Sequence, residues 1–448
     1  VGTGFRKTSC SSNNLERGGD SKKSHHAPGF WLQDHPRPLA LQADAAPTRT
    51  DVAVIGGGLT GLNAARVLAR AGFTVAVFEA GRIGHGASGR NGGFCTVGPA
   101  VGFGLMAKRY SGEVARQFWA MSRASVDLVA ETLEQEGIDA EFARCGRIRL
   151  AAKPKHAERL AREADFLSSE LKYPTRFVPA HALDSLIGYG RFHGGLLDEG
   201  SACLHPAKLL FGLARAAQQN GAKLVEDTLA LAVRRDGAGG FLVTHPGGVT
   251  RAGNVIIATE GYTGGLVPAL QRRIFPVGSY VIVTEPLSEE EKTRFNPTTR
   301  IFSTTLNFMN YFRLTRDGRI LFGGRNDLAV DQAPAQSRLQ LKNRFNQLFP
   351  ELRHRSVASS WGGRLGFTVD RMPHVGVIDG VHYALGYCGH GVPTAVWCGR
   401  AVAEMIMGRP PAVPFTQIGH PAVPFYRGNP WFLPLVGWWY RFKDRVLN

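Results

Sequence analysis

The sequence lacks any pair of cysteines spaced as C-x-x-C. Its six cysteines stand apart at positions 10, 95, 145, 203, 388 and 398, which excludes a zinc knuckle or a dithiol motif. Free thiols in a reducing compartment are the simplest reading, and no metal site is expected. No apolar run reaches the roughly 18–20 residues that a spanning helix needs. Residues 1–30 are polar, mixed in charge and without a signal-peptide core. These absences predict a cytoplasmic protein. A long Lys/Arg block is missing too. The 53 basic and 36 acidic residues leave a net charge of +17, spread along the chain as on a solvated surface, which argues against a nucleic-acid partner.

What is present is ordinary for a globular chain. Its 448 residues, 44% hydrophobic and 20% charged, suffice for two or three domains and a large core. Residues 1–47, rich in Ser, Asn, Gly, Pro and His, are predicted to be a largely disordered lead-in. Phe30 and Trp31 are the candidates that pin it to the body.

The stretch TRTDVAVIGGGLTGLNAARVLARAGFTVAVFEAG, residues 48–81, carries the first motif. Asp51–Ile55 is a β-branched apolar run, Leu59–Ala71 has helical spacing, and Thr74–Glu79 is a second apolar run. Gly56, Gly58 and Gly61 fit G-x-G-x-x-G: a tight turn, close backbone approach to a pyrophosphate, and helix-on-strand packing. The helix start offers free N–H groups and partial positive charge. Glu79 closes the second strand, where a carboxylate accepts from a ribose diol and disfavours a 2′-phosphate. The fingerprint does not separate FAD from NAD. The glycine-rich loop that follows, residues 81–94, suits a second flank of a long cofactor.

Further along, helices are predicted near 115–136, 155–171, 206–220, 336–348 and 393–407. Strands are predicted at 147–151, 223–226, 241–244, 255–258 and 382–386. Residues 275–327 read mostly as strand, with Asp317–Gly318 as a hairpin turn. Nucleotide-type pieces thus alternate with strand-rich ones. The predicted nucleotide-binding domain comprises 48–100, 200–265 and 355–410. A substrate domain comprises 101–199 and 266–354, and 411–448 is a tail.

Four landmarks carry a resemblance: VIGGGLTGLNAA with EAG, then GASGRNGG, then VIIATEGYTG, then the run from Trp361 to Gly408 that opens WGGRLGFTVD. Together they resemble the D-amino-acid oxidase family of FAD enzymes, in the branch of glycine, sarcosine and gamma-glutamylputrescine oxidases. The resemblance implies an α/β fold, with an FAD-binding Rossmann-like domain of the glutathione-reductase type and a strand-rich α+β substrate domain, both discontinuous. It implies that Gly56, Gly58, Gly61 and Glu79 hold the ADP half. Ser88, Arg90, Asn91, Gly92 and Gly93 approach the pyrophosphate and flavin. Ala258, Thr259 and Gly261 form the middle strand end, and Gly389, His390 and Gly391 open the last long helix beneath the flavin's pyrimidine edge. Arg82 and Arg364 are counted with the cofactor-binding residues. His390, if protonated, would stabilise charge on reduced flavin.

Departures from the family pattern are informative. Covalent members use a cysteine near WGGRLGFT or a histidine near GRNGG. Here those places hold Leu365/Gly366 and Arg90, so FAD is expected to be non-covalent. Amino-acid oxidases of the family clamp the substrate carboxylate with an arginine where this chain has Leu365. A substrate whose reacting carbon bears no carboxylate fits that better. The lysine that assists oxygen in sarcosine-oxidase-like members has no counterpart in RILFGG, so oxygen and a quinone both stay open as acceptor.

The implied chemistry is oxidation of a small-molecule amine. In the strand-rich part, Tyr311 and Arg313 share a face by alternation. Arg313 is a candidate for an anionic substrate end, and Tyr280 and Tyr311 for packing on an ammonium. With His390, these are the candidate catalytic residues. The aromatic and basic tail NPWFLPLVGWWYRFKDRVLN suits either packing on the body or peripheral membrane contact. A tRNA-modifying flavoenzyme and a non-catalytic flavin-binding protein are the alternative readings. Oligomeric state is not legible.

Overall fold

Arg49–Ile55 forms the central strand of the first sheet, because its apolar residues are covered on both sides, as in other buried parallel strands. It runs parallel to Val75–Phe78 on one side and to Gly248–Ile257 on the other. The sheet continues outward to Lys223–Val225 beyond the former, and to Val381–Leu385 and His374–Ile378 beyond the latter. The computed structural model describes residues 29–325, 328, 330, 332–409 and 415–447.

Alternation sorts the central strand between two cores. Val52 and Val54 face a helical layer, whereas Ala53 and Ile55 face an antiparallel meander of Ala232–Arg235, Phe241–His245 and the start of Gly248–Ile257. The helical layer includes Leu59–Arg70, Pro206–Gln219 and Gly391–Ile406. Gly399 lets the last of these lie against the backbone of the first, where a Cβ would strike the Thr60 carbonyl. Asn63 Nδ2 donates to Val396 O at 2.6 Å, and the Thr60 and Tyr387 hydroxyls meet at 2.7 Å. The glycine turn and the far helix are thereby locked together.

The second sheet has eight strands in the order Val357–Phe367, Phe275–Thr284, Ile320–Gly324, Tyr311–Leu314, Ile301–Thr304, Arg147–Leu150, Gly194–Asp198 and Thr175–Pro179. All its pairs are antiparallel except Ile301–Thr304 with Arg147–Leu150. One face buries Ile282, Phe302, Phe312 and Phe322 beneath the Pro334–Leu348 helix. The other turns Val281, Val283 and Leu321 toward the first core.

Three placements differ from the sequence expectation. Val357–Phe367, expected with the nucleotide-binding pieces, pairs along its length with Phe275–Thr284. Its three glycines dilute the strand pattern. Gly112–Gln135, expected in the substrate domain, buries Phe118, Val126 and Val129 in the core that also holds Val52 and Leu62. Inside the predicted strand region lies a helix, Glu289–Phe295, started by a reciprocal Ser288–Glu291 capping box.

Residues 1–28 of the predicted lead-in lie outside the described residues. Its described end is pinned as expected. Trp31 is 2% exposed, and its Nε1 donates to Asn91 O at 2.8 Å. Arg37 adds an ion pair with Glu226 at 2.5 Å. Cys10 is also outside the described residues; the five described cysteines are free thiols.

Candidate active site

Chain reversal at the end of Arg49–Ile55 needs a residue that tolerates positive φ, and Gly56 sits at +112°. A Cβ there would stand 2.6 Å from the Ala258 carbonyl oxygen. Gly61 backs directly onto the Gly56 carbonyl, the helix-on-strand approach predicted for the third glycine. Gly58 differs. Its backbone is extended (φ −87°, ψ −175°) and open to any residue, yet a Cβ would stand 2.8 Å from Ser88 Oγ. The helix it precedes has no acid in its first turn and no side-chain bond from its cap residue. Glu79 stands over this turn, accepting from Gly57 N at 2.8 Å and Gly81 N at 3.0 Å. Burial pushes its carboxyl above the usual range.

The second glycine loop is ordered by its own polar groups. Ser88 Oγ accepts from Leu59 N at 3.0 Å, and Asn91 donates to Ser88 O and accepts from Gly93 N, both at 2.8 Å. Arg90 donates to His85 O at 2.7 Å and to Gly362 O at 3.2 Å, while Trp361 Nε1 donates back to Arg90 O at 2.8 Å. The loop therefore bridges both sheets. Gly92 faces the Tyr311 ring, and Gly93 faces Leu204 O and the Arg313 guanidinium. Arg82 points outward into an exposed ion pair with Asp227 at 2.9 Å.

A third strand end brings Ala258, Thr259 and Gly261 beside the first turn. Ala258 N donates to Ile55 O at 2.9 Å, the Thr259 hydroxyl meets that of Thr263 at 2.8 Å, and Gly261 touches the Arg364–Leu365 backbone. Between them stands Glu260, which sequence reasoning passed over. Its carboxylate accepts from Gly386 N at 2.7 Å and Tyr387 N at 3.0 Å. Burial outweighs those amides and pushes its carboxyl up to about 7. A charged residue inside a run of small ones, ATEGYTG, was the available signal.

A pH dependence follows from Glu260. Its folded pKa lies above the ordinary 4.5. Its contribution is thus fully present below pH 4.5 and is lost as pH rises to about 7, by roughly 3 kcal/mol. Thermal melting of the apoprotein from pH 5 to 8 should show that loss. Glu260→Gln keeps one acceptor and removes the ionisation, so it should flatten the profile. A variant with the wild-type slope would exclude Glu260 as the source.

Gly389, His390 and Gly391 open the Gly391–Ile406 helix as predicted, with Gly389 at φ +88° and exposed. This helix, too, has no acid in its first turn and no side-chain bond from its cap residue. His390 Nδ1 is buried without a partner among the described residues. Burial, then the positive charge of Arg147, push the imidazole down to about 4. The condition set for His390 is thus not met: near neutral pH the ring is uncharged, and positive potential comes from the helix start.

Two further expectations change. Tyr280 lies 4% exposed in the second core, its ring under Gly362. Its hydroxyl accepts from Gln332 N at 2.8 Å and donates to Val330 O at 3.3 Å, so it holds those two residues' backbone rather than facing an ammonium. Arg313 does share the Tyr311 face, but it is 6% exposed and donates to Leu204 O at 2.8 Å. Its guanidinium lies 5.1 Å from the Trp31 ring centroid, so it braces the glycine loop. Tyr311 remains against Gly92 at the junction of the sheets. Arg364 lies 5.9 Å from the Tyr262 ring. Arg325, unmarked in the sequence reading, comes within reach of Gly389.

Residues 51–405 match the family described as DAO, FAD dependent oxidoreductase. The chain belongs to this family. It is 33% identical over 403 residues to the probable oxidoreductase OrdL of Rhizobium meliloti, covering 89% of this chain and 92% of that one. It is 32% identical over 402 residues to the gamma-glutamylputrescine oxidoreductase of Escherichia coli, covering 88% and 93%. Among solved structures, glycine oxidase from Geobacillus kaustophilus shares the fold with a TM-score of 0.73 at 24% identity, over 84% of this chain and all of that one. The chain is therefore an FAD-dependent oxidoreductase, and the two helix starts without an acid in their first turn, the close-packed glycines and the Glu79 carboxylate all fit such a cofactor.

Proposed function

We propose that the chain oxidises the C–N bond of a primary or secondary amine, with FAD held non-covalently. The observation that carries this is the pair of helix starts at Leu59 and Gly391, neither with an acid in its first turn, which present partial positive charge to anionic groups. The similarity to gamma-glutamylputrescine oxidoreductase supports an amine donor. Gly56, Gly58, Gly61 and Glu79 would hold the ADP half. Ser88, Arg90, Asn91, Gly92 and Gly93 would order the flank along the pyrophosphate and flavin, with Ala258, Thr259, Gly261 and Arg364 at the middle strand. FAD supplies the two-electron acceptor. The neutral amine would lose a hydride and then a proton, and water would hydrolyse the resulting imine to a carbonyl compound and ammonia (from a primary amine) or an amine (from a secondary one), the electrons passing on to oxygen or a quinone. The Gly391 helix start stabilises negative charge gained at its end. Tyr311, in the Gly92 contact, walls the junction. Anaerobic mixing with an amine panel should bleach the visible flavin band. A band left unchanged by every amine would overturn the reading.

A membrane contact through the tail belongs to the same proposal. Leu433–Phe442 faces the body with Leu433 and Gly437. Outward it carries Leu435 and Trp438, 68% and 62% exposed, together with Trp439 and Phe442. Aromatic residues beside Arg441 and Lys443 suit an anionic lipid surface. No described helix is long and apolar enough to cross a membrane, so the contact proposed is peripheral. Co-sedimentation with vesicles containing phosphatidylserine, lost in Trp438→Glu, is the expected result. Equal sedimentation of both proteins would remove the tail from the contact.

A further inference from the structure

Cys145 and Cys203 are far apart in the sequence, and the fold brings them together. Ala143 and Cys203 form an antiparallel bridge, each donating its N–H to the other's carbonyl at 2.9 Å. Gly146 N donates to Ser201 O at 2.9 Å, which keeps the two segments side by side past residue 145. The side chains meet as well: the Cys145 thiol lies within hydrogen-bonding reach of the Cys203 sulfur. Both are free thiols and only half-buried.

The two sulfurs have different surroundings. The hydrogen bond from Cys145, and after it the Arg313 guanidinium, hold the Cys203 thiol below the ordinary thiol range in spite of burial. Arg313 is fixed there by its bond to Leu204 O, one residue further on. Glu141 opposes this effect, but it is engaged by Lys208 at 2.8 Å. Cys145 is pushed upward by the same hydrogen bond and by burial. One sulfur is thus prepared as a thiolate and the other kept as a thiol, the division between a nucleophilic and a resolving cysteine. The other described cysteines, Cys95, Cys388 and Cys398, are fully buried, and burial pushes all three thiols up.

We propose that Cys145 and Cys203 are a redox-active pair, closed to a disulfide by hydrogen peroxide and reopened by a dithiol reductant. The Cys203 thiolate attacks one peroxide oxygen. The O–O bond breaks, hydroxide leaves, and Cys203 becomes a sulfenic acid. The Cys145 sulfur then attacks the Cys203 sulfur. The S–S bond forms, the S–O bond breaks, and the Cys145 proton leaves with the hydroxyl group as water. The two sulfurs give up two electrons, which reduce the peroxide to water and hydroxide. The new bond ties the segment leading into Arg147–Leu150 to Ala202–Cys203, the strand that pairs with Phe94–Cys95 just after the glycine loop. This modification site does not depend on the amine-oxidation reading.

The test treats native, FAD-loaded protein with hydrogen peroxide, blocks the remaining thiols with iodoacetamide and maps the peptides by mass spectrometry. A peptide cross-linked through Cys145 and Cys203 should appear and should be lost on treatment with dithiothreitol. It should form at least about tenfold faster than any oxidation of Cys95, Cys388 or Cys398, because a lowered pKa enlarges the thiolate fraction near neutral pH. Cys145→Ser should leave Cys203 as a sulfenic acid that dimedone traps, and Cys203→Ser should leave Cys145 reduced. Full alkylation of both cysteines after peroxide treatment of the wild type would overturn the proposal. So would a Cys203 disulfide to Cys10 in place of Cys145. If either serine variant fails to fold, the wild-type protein decides through its rate of iodoacetamide alkylation at pH 7. Cys203 should react faster than Cys145, and equal or slower reaction would overturn the roles given to the two sulfurs.

Discussion

A Gly58→Leu protein should fold normally and purify colourless, with FAD affinity reduced at least about 100-fold, or roughly 2.7 kcal/mol. Gly58 is the glycine at which folding and binding separate. Its backbone angles suit any residue, unlike those of Gly56 at φ +112°. The new side chain would collide with Ser88 Oγ, 2.8 Å from the Cβ position. That oxygen holds the Leu59 amide, so the insult falls on the helix start that must come close to a phosphate. Circular dichroism should match the wild type while FAD titration fails to saturate. Full retention of flavin would refute the role given to this turn.

Replacing Trp31 with alanine should destabilise the protein by about 3–5 kcal/mol, the range for truncating a large buried aromatic residue. The ring packs between the start of the Pro206–Gln219 helix, the glycine loop and the second sheet. It meets His205 edge-on, with centroids 4.8 Å apart, and lies under the Arg313 guanidinium. Its indole N–H bonds to Asn91 O, and Asn91 in turn orders Ser88 and Gly93. Loss of stability should therefore come with weaker FAD binding. Trp31→Phe should recover part of the packing and none of the hydrogen bond. Urea denaturation of the apoprotein measures the first effect, and FAD titration the second. A Trp31→Ala protein as stable as wild type would mean that the short Phe30–Asp34 helix is only an appendage.

The N-terminal βαβ unit was legible because each of its constraints leaves a local mark: buried parallel strands read as unbroken apolar runs, and the turn between them demands glycine. Tyr311 and Arg313 were placed on one face by alternation alone. What alternation does not give is how each side chain on that face is used, and so Arg313 and Tyr280 proved to be braces. The Glu289–Phe295 helix carried its capping signal in plain view, but strand-like neighbours on both sides masked it. Val357–Phe367 was hidden by its own glycines, which its partners require: Gly362 packs on Tyr280, and Gly366 on Ile274 and Glu260. Arg325 and Glu260 were missed for a different reason. Their significance lies in contacts distant in sequence: Arg325 reaches Gly389 only when the second sheet meets the helix start, and Glu260 reaches the Gly386–Tyr387 amides only when Gly248–Ile257 pairs with Val381–Leu385 in the first sheet.

The visible spectrum of FAD-loaded protein under anaerobic conditions, before and after addition of each member of a panel of primary and secondary amines, tests the central claim most directly. The account predicts one bound FAD per chain and loss of the oxidised flavin band on mixing. Protein that takes up no FAD, or holds it with a band that no amine diminishes, would contradict it.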